Sequence, residues 1–292
     1  MKQKLYVKIL LHTFFIIASI TFIVPFLLMI SISLSNENDV INYGFKLIPM
    51  HLEFTSYKLL FQDFGTMAWA CVFTVFVSCV SAFFSNVLCA MMAYPLSRSD
   101  FRWKKVISNI LLITMLFNAG LIPRYILNTQ YLHLNNTVWI YLIPGVSAWS
   151  VILYKTFFSQ ISPSLIESAK IDGAGNGVIL KNIMIPLTKP MIMIQVFQGI
   201  VTGWNGWETS LYYITNKKLY TIQYLMQIYL KNAQEIRKVF MDNPAFKDQL
   251  QSVPVETLRY AMAVIATIPV LIIFPFLQKY FSKGITVGSV KG

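Results

Sequence analysis

Gln195, Gln198, Thr202, Asn205 and Thr209 follow one another at steps of 3, 4, 3 and 4, the spacing that gathers side chains on one face of a helix. They interrupt an otherwise apolar segment. Their chemistry is uncharged hydrogen bonding: amides and hydroxyls that donate and accept. Such a face is costly against lipid, so it should turn into a helix bundle or toward a water-filled path. Trp204 and Trp207 lie beside it. Trp207 reads as part of an interfacial aromatic belt, and Trp204 fits either that belt or the path. In another apolar run, Asn118 stands near Gly120 and Pro123, and a kink is expected there.

Other chemistries are not written into the chain. Cys71, Cys79 and Cys89 share one apolar segment with no CxxC spacing, and His12, His51 and His133 are far apart, so neither a metal site nor a disulfide framework is indicated. No nucleophile constellation converges on one place, which argues against a membrane enzyme. There is no GxxxxGK[ST] phosphate loop, so this chain does not itself cradle ATP. No cofactor is implied.

A second polar stretch, residues 166–190, carries several backbone signals. Ser164 and Glu167 have capping-box spacing, predicting a helix that begins there. Gly173 and the Gly175, Asn176, Gly177 cluster should end it after about two turns. A second helical piece is expected over 178–184, with Pro186 and Pro190 framing the start of the next apolar segment. Helix, glycine turn, helix is a shape that can plug a groove on a partner; an ordinary linker between spans is the other reading.

The elements that must hold these residues are read from hydropathy. The 292 residues are 56% hydrophobic and 12% charged, against about one quarter charged in soluble domains, so the chain is an integral membrane protein. Its +12 charge shows no basic run with interleaved aromatics, which argues against nucleic acid. A crossing helix needs about 20 apolar residues. Six segments qualify: 9–34, 67–96, 106–127, 137–158, 190–214 and 257–281. The fold class is therefore all-α, a single polytopic domain. Placing the N-terminus in the cytoplasm puts most Lys and Arg inside, beside Asp100, Glu167 and Asp172 as the only acids there. Residues 159–189 then form a cytoplasmic loop and 282–292 a cytoplasmic tail. The loop 215–256 is too long for a plain connection, and near-helical spacing over 221–240 predicts a partly helical cap outside. In the second span Thr74, Ser78, Ser81 and Ser85 fall on one face, read as a helix-packing surface. The run 274–292, with glycines among β-branched residues, reads as an extended tail.

Several of these stretches carry a family resemblance. Glu167-Ser168-Ala169, Asp172-Gly173-Ala174, Ile183, Pro186-Leu187 and Pro190 resemble the EAA loop of permease subunits in binding-protein-dependent ABC importers, with Ser168 where alanine is usual. LFNAGLIPRYIL (116–127), the Trp204-Asn205 pair, VPVETLRYA (253–261) and the C-terminal run resemble carbohydrate permeases of the maltose and complex-polysaccharide type. The resemblance spans nearly the whole chain. It implies the type I importer permease fold and a non-catalytic subunit forming half of a sugar or oligosaccharide path. The implied partners are a second homologous permease, two ATPase subunits and an extracytoplasmic solute-binding protein. It implies ATPase coupling through Glu167, Ser168, Ala169, Asp172, Gly173, Ala174 and Pro186. Lys283, Gly284, Gly288, Lys291 and Gly292 would lie in a tail that reaches the ATPases, and Gln195, Gln198, Thr202, Trp204, Asn205 and Asn118 along the substrate path. A stand-alone carrier or channel remains the other class; it predicts mid-membrane acids or inverted repeats with broken helices.

Overall fold

Apolar runs with few interior breakers become long helices, and runs punctuated by Gly and Pro become several short ones. The computed structural model describes residues 5–117, 119–143, 145–242 and 253–287. In chain order the helices are α1 (Leu5–Ser33), α2 (Glu37–Tyr43), α3 (Thr55–Leu60), α4 (Phe64–Ser97), α5 (Lys104–Leu116), α6 (Leu121–Ile126), α7 (Trp139–Leu142) and α8 (Ala148–Phe158). They continue with α9 (Pro163–Ile171), α10 (Asn176–Ile179), α11 (Ile185–Leu187), α12 (Lys189–Asn205), α13 (Glu208–Tyr213), α14 (Ile222–Asp242) and α15 (Glu256–Val287). No strand occurs among the described residues; Ser35 and Leu52 form an isolated bridge.

Among the described residues, three helices are long and apolar enough to cross a membrane unbroken: Tyr6–Ser33, Phe64–Ser97 and Glu256–Pro275. The other three expected spans are divided. The segment 106–127 breaks between α5 and α6, where Phe117 turns extended and Gly120 takes φ +84°, in keeping with the expected kink. The segment 137–158 is split between α7 and α8, and 190–214 breaks at Gly206 and Trp207 between α12 and α13. Hydropathy counts apolar residues and is blind to such breaks, which need only a local partner for the freed backbone groups.

The extended tail is corrected. Helix α15 runs on through Lys283 and Gly284 to Val287. A glycine inside a helix costs about 1 kcal/mol, too little to stop a long, already nucleated helix from propagating. Gly288, Lys291 and Gly292 lie outside the described residues, as does Asn118.

The chain divides into two compact units, Met1–Met67 with Leu225–Pro269, and Ala68–Tyr224 with Val270–Gly292. The first is fastened by Glu37, which is buried. Its carboxylate accepts from the backbone N–H groups of Glu256 and Thr257, each at 2.9 Å, and from the Thr257 hydroxyl at 2.8 Å, capping α15 from another part of the chain. Arg237 of α14 pairs with the same carboxylate at 3.3 Å. Truncating one partner of a buried pair strands the other charge, so Glu37→Ala should cost about 3–5 kcal/mol. Thermal unfolding of the detergent-purified chain checks this; an unchanged midpoint would contradict it.

The helix expected over 221–240 is present as α14, with Ile222, Leu225 and Met226 buried.

Candidate functional site

In the second unit, α12 crosses α4 at backbone contact distance. A Cβ built on Gly199 would lie 2.9 Å from Ala82 Cβ, and one on Gly203 would lie 2.8 Å from Ser78 Oγ and 3.0 Å from Ser78 Cα. Two small residues four apart on each helix interlock, the small-xxx-small pattern of membrane helix pairs. The hydroxylated face of α4 is thus divided in use. Thr74 is buried away from the cavity, whereas Ser78, itself buried against Gly203, and Ser81 and Ser85 line a cavity, with Ser85 Oγ donating to the Gly145 carbonyl at 3.1 Å.

That cavity has a volume of about 860 Å³. Helix α4 contributes Ser81, Ser85 and Asn86; α12 contributes Gln195, Gln198, Thr202 and Asn205; α6 contributes Arg124, α8 Trp149, and α13 Glu208 and Thr209. The polar stripe read from the sequence therefore faces a cavity wall. Gln195 is itself buried and Gln198 exposed to the open space. Of the two tryptophans, Trp204 is buried and does not border the cavity, while Trp207, read from the sequence as a belt residue, does. The break at Gly206 causes this, because it redirects the chain between the two rings. Ser78 Oγ, also on the wall, has no hydrogen-bond partner among the described residues.

The break after α12 is held by a hydroxyl network. Thr221 Oγ1 donates to the Gly206 carbonyl at 3.0 Å, its N–H donates to Ser210 Oγ at 3.1 Å, and Tyr141 Oη donates to the Leu219 carbonyl at 2.9 Å. Thr74 Oγ1 accepts the Ile222 N–H at 2.8 Å. The Thr221 hydroxyl serves the Gly206 carbonyl freed at the break, and the other bonds serve backbone groups of the 219–222 turn that leads into α14. They link residues too far apart in sequence for spacing to have shown them. The Gly199/Gly203 pair, by contrast, is legible as GxxxG in the chain.

The 166–190 stretch forms the expected helix, glycine turn and second helical piece, with changes at its edges. The capping box is not made. Ser162 is the N-cap, Pro163 opens α9, and Ser162 Oγ and Ser164 Oγ bond each other at 2.8 Å. Proline's fixed φ suits the first helical position, which starts the helix too early for Ser164 to cap it. At the other end Gly173 takes φ +79°. Its N–H donates to the Lys170 carbonyl at 3.0 Å and the Ala174 N–H to the Ala169 carbonyl at 2.9 Å, a complete Schellman motif. The turn leaves Ile171 87% exposed at its tip, between exposed Leu165 and Val178. Glu167, Ser168, Asp172 and Gly173 are exposed; Ala169 and Ala174 pack partly against the core. The second piece begins at Asn176 and passes through a π-helical turn, Leu180–Met184, just before Pro186, which cannot donate an N–H. Residues Asn176–Leu187 lie at 86° to α12.

This stretch rests on the Ser97 end of α4. Ile179, Met184, Tyr94, Leu96 and Phe158 are fully or nearly buried together. Above them Arg98 bonds Asp100 through two contacts of 2.9 Å, and Lys170 reaches Asp100 at 3.4 Å. The Arg98 guanidinium holds the Asp100 carboxyl well below the usual carboxylate range.

Helices throughout the described residues, several of them apolar enough to span a membrane, together with a polar cavity in the second unit, define a multi-pass membrane transport protein. Residues 85–287 match the family described as binding-protein-dependent transport system inner membrane component, and the chain belongs to that family. It is a non-catalytic permease subunit. It is 31% identical over 299 residues, covering all of both chains, to the polygalacturonan/rhamnogalacturonan transport system permease protein YtcP of Bacillus subtilis (strain 168). It is 32% identical to protein LplC of the same organism, over 92% of this chain and 90% of that one. Among solved structures, a chain of a bacterial ABC transporter that imports the acidic polysaccharide alginate superposes with a TM-score of 0.73 at 28% identity, over 96% of this chain and 98% of that one.

Proposed function

We propose that this permease forms half of the translocation path of an ATP-driven importer for a sugar or oligosaccharide, handed over by an extracytoplasmic binding protein. A second permease completes the path, and two cytoplasmic ATPase subunits supply the energy. The observation that carries the reading is the pairing of two features in one chain: a cavity walled mostly by uncharged hydrogen-bonding groups, with Arg124 and Glu208 as its charged residues, and an exposed apolar knuckle. Amides, hydroxyls and a tryptophan face suit a hydroxyl-rich ring. The knuckle at Ile171, closed by the Gly173 turn, suits insertion into a partner's cleft. The names of YtcP and of the alginate importer support a saccharide substrate.

In this reading the basic bias places both termini and residues 159–189 in the cytoplasm, where ATP is. Residues 167–174 and Pro186 serve the ATPase contact, and the tail that includes Lys283 and Gly284 continues toward the same partners. The broken α12/α13 pair and Glu208 on the cavity wall are features that an ion-coupled carrier also uses. One experiment separates the two. The permease pair should co-purify with its ATPases, and their hydrolysis in proteoliposomes should rise several-fold when the saccharide-loaded binding protein is added. A chain that purifies alone and moves saccharide without ATP would be a carrier.

A further inference from the structure

We propose that Arg98 and Asp100 form a clasp fastening both arms of the coupling segment to α4, so that displacement of that segment reaches the cavity as movement of α4. The inference rests on the reading of residues 167–174 as the ATPase contact. Arg98 is the first residue beyond α4, and Asp100 lies two residues on. Their planar fork uses Nε to Oδ1 and Nη2 to Oδ2, both 2.9 Å. From that fork one branch goes to each arm of the glycine turn. Asp100 Oδ2 accepts from Lys170 Nζ of α9 at 3.4 Å. On the other side Arg98 Nη1 donates to Tyr94 Oη at 3.3 Å, and Tyr94 Oη donates to Asn176 Oδ1, at the start of α10, at 3.1 Å.

Charge and packing divide the work. The apolar seam of Tyr94, Leu96, Ile179 and Met184 resists compression but is non-directional and permits sliding. A bidentate guanidinium–carboxylate pair fixes orientation as well as distance. The Lys170 contact alone, at an exposed carboxylate, is weak; Arg98, with only 16% of its side chain exposed, anchors the network. Helix α4 runs from the clasp to the cavity wall at Ser81 and Ser85, about 20 Å away at the rise of an α-helix, with Pro95 in its last turn as the one residue that cannot donate to the ladder. A rigid element of that kind is what carries coupling between distant sites. Arg98 and Asp100 touch no substrate; they are positioning residues.

The test uses the assembled complex with Cys71, Cys79 and Cys89 replaced, carrying nitroxides at Val178→Cys on α10 and Phe83→Cys on α4. With the clasp intact, the label-to-label distance should keep one narrow distribution with and without ATP, and Asp100→Glu should preserve it. Asp100→Asn should broaden it and make it shift on ATP addition. Arg98→Lys, which keeps the charge but loses the fork, should do the same. If both variants keep the narrow, ATP-independent distance while the ATPases remain bound, the clasp is wrong. If the ATPases fail to bind the parent complex at all, the coupling reading fails, and the clasp's role with it.

Discussion

Gly173→Val should cut uptake by tenfold or more while leaving the chain in the membrane. A Cβ at this position meets nothing within 4 Å, so crowding inside the chain is not the difficulty. The difficulty is φ at +79°, a conformation that costs an L-residue about 1–2 kcal/mol and a β-branched one the most. Faced with that cost, the chain will leave the left-handed conformation, and both Schellman bonds, to Lys170 and to Ala169, go with it. The turn then opens and Ile171 loses its place. The buried seam beneath, from Leu96 to Met184, is not touched, so the protein still folds. Asparagine adopts left-handed φ more readily than any branched residue, so Gly173→Asn should retain most uptake. Uptake equal in Gly173→Val and the parent would show that the turn geometry is not used.

Gly203→Leu should act earlier, on folding itself. The leucine Cβ would be placed 2.8 Å from Ser78 Oγ and 3.0 Å from Ser78 Cα, and the second of these is backbone that no rotamer can move. Helices α4 and α12 must separate, exposing their packed faces and deforming the cavity they share. Overpacking a well-fitted interior costs about 1–3 kcal/mol or more. The expected result is a large fall in thermal midpoint and in the yield of purified protein. Gly203→Ala should be milder, and Ser78→Gly should rescue it only in part, because the backbone of residue 78 still stands in the way. Thr202→Val, one residue away on the cavity side, should unfold like the parent. A Gly203→Leu chain with an unchanged midpoint would mean the two helices do not cross this closely.

The sequence was most legible where one residue type has one physical use. Gln195, Gln198, Thr202 and Asn205 had to share a face because of their spacing and had to avoid lipid because of their polarity, and they line the cavity. Gly173 had to end a helix, and it does so with positive φ. Misreadings arose where two local rules competed. Pro163 and Ser164 both signal a helix start, and the proline's rigid φ prevailed. Glycines among β-branched residues over 274–292 signal an extended tail, but at the end of a long apolar helix the signal is too weak, and α15 runs on to Val287. Trp204 and Trp207 could not be told apart by type; their different surroundings depend on the break at Gly206, held by Thr221 from another segment. The anchoring of Lys170 and Asn176 through Arg98, Asp100 and Tyr94 was beyond reach for the same reason, since the partners lie some 70 to 80 residues apart. Short-range patterns specify elements, and long-range side-chain bonds decide how those elements are aimed.

The knuckle at the Gly173 turn is proposed to sit inside an ATPase subunit, and every coupling step follows from that contact. A photo-crosslinking amino acid placed at Ile171, the most exposed large apolar side chain of the described residues, tests it within the purified permease–ATPase complex. A single major crosslink, to an ATPase subunit, is expected, and Gly173→Val should abolish it. An intact complex in which Ile171 crosslinks only to lipid or to the second permease would contradict it.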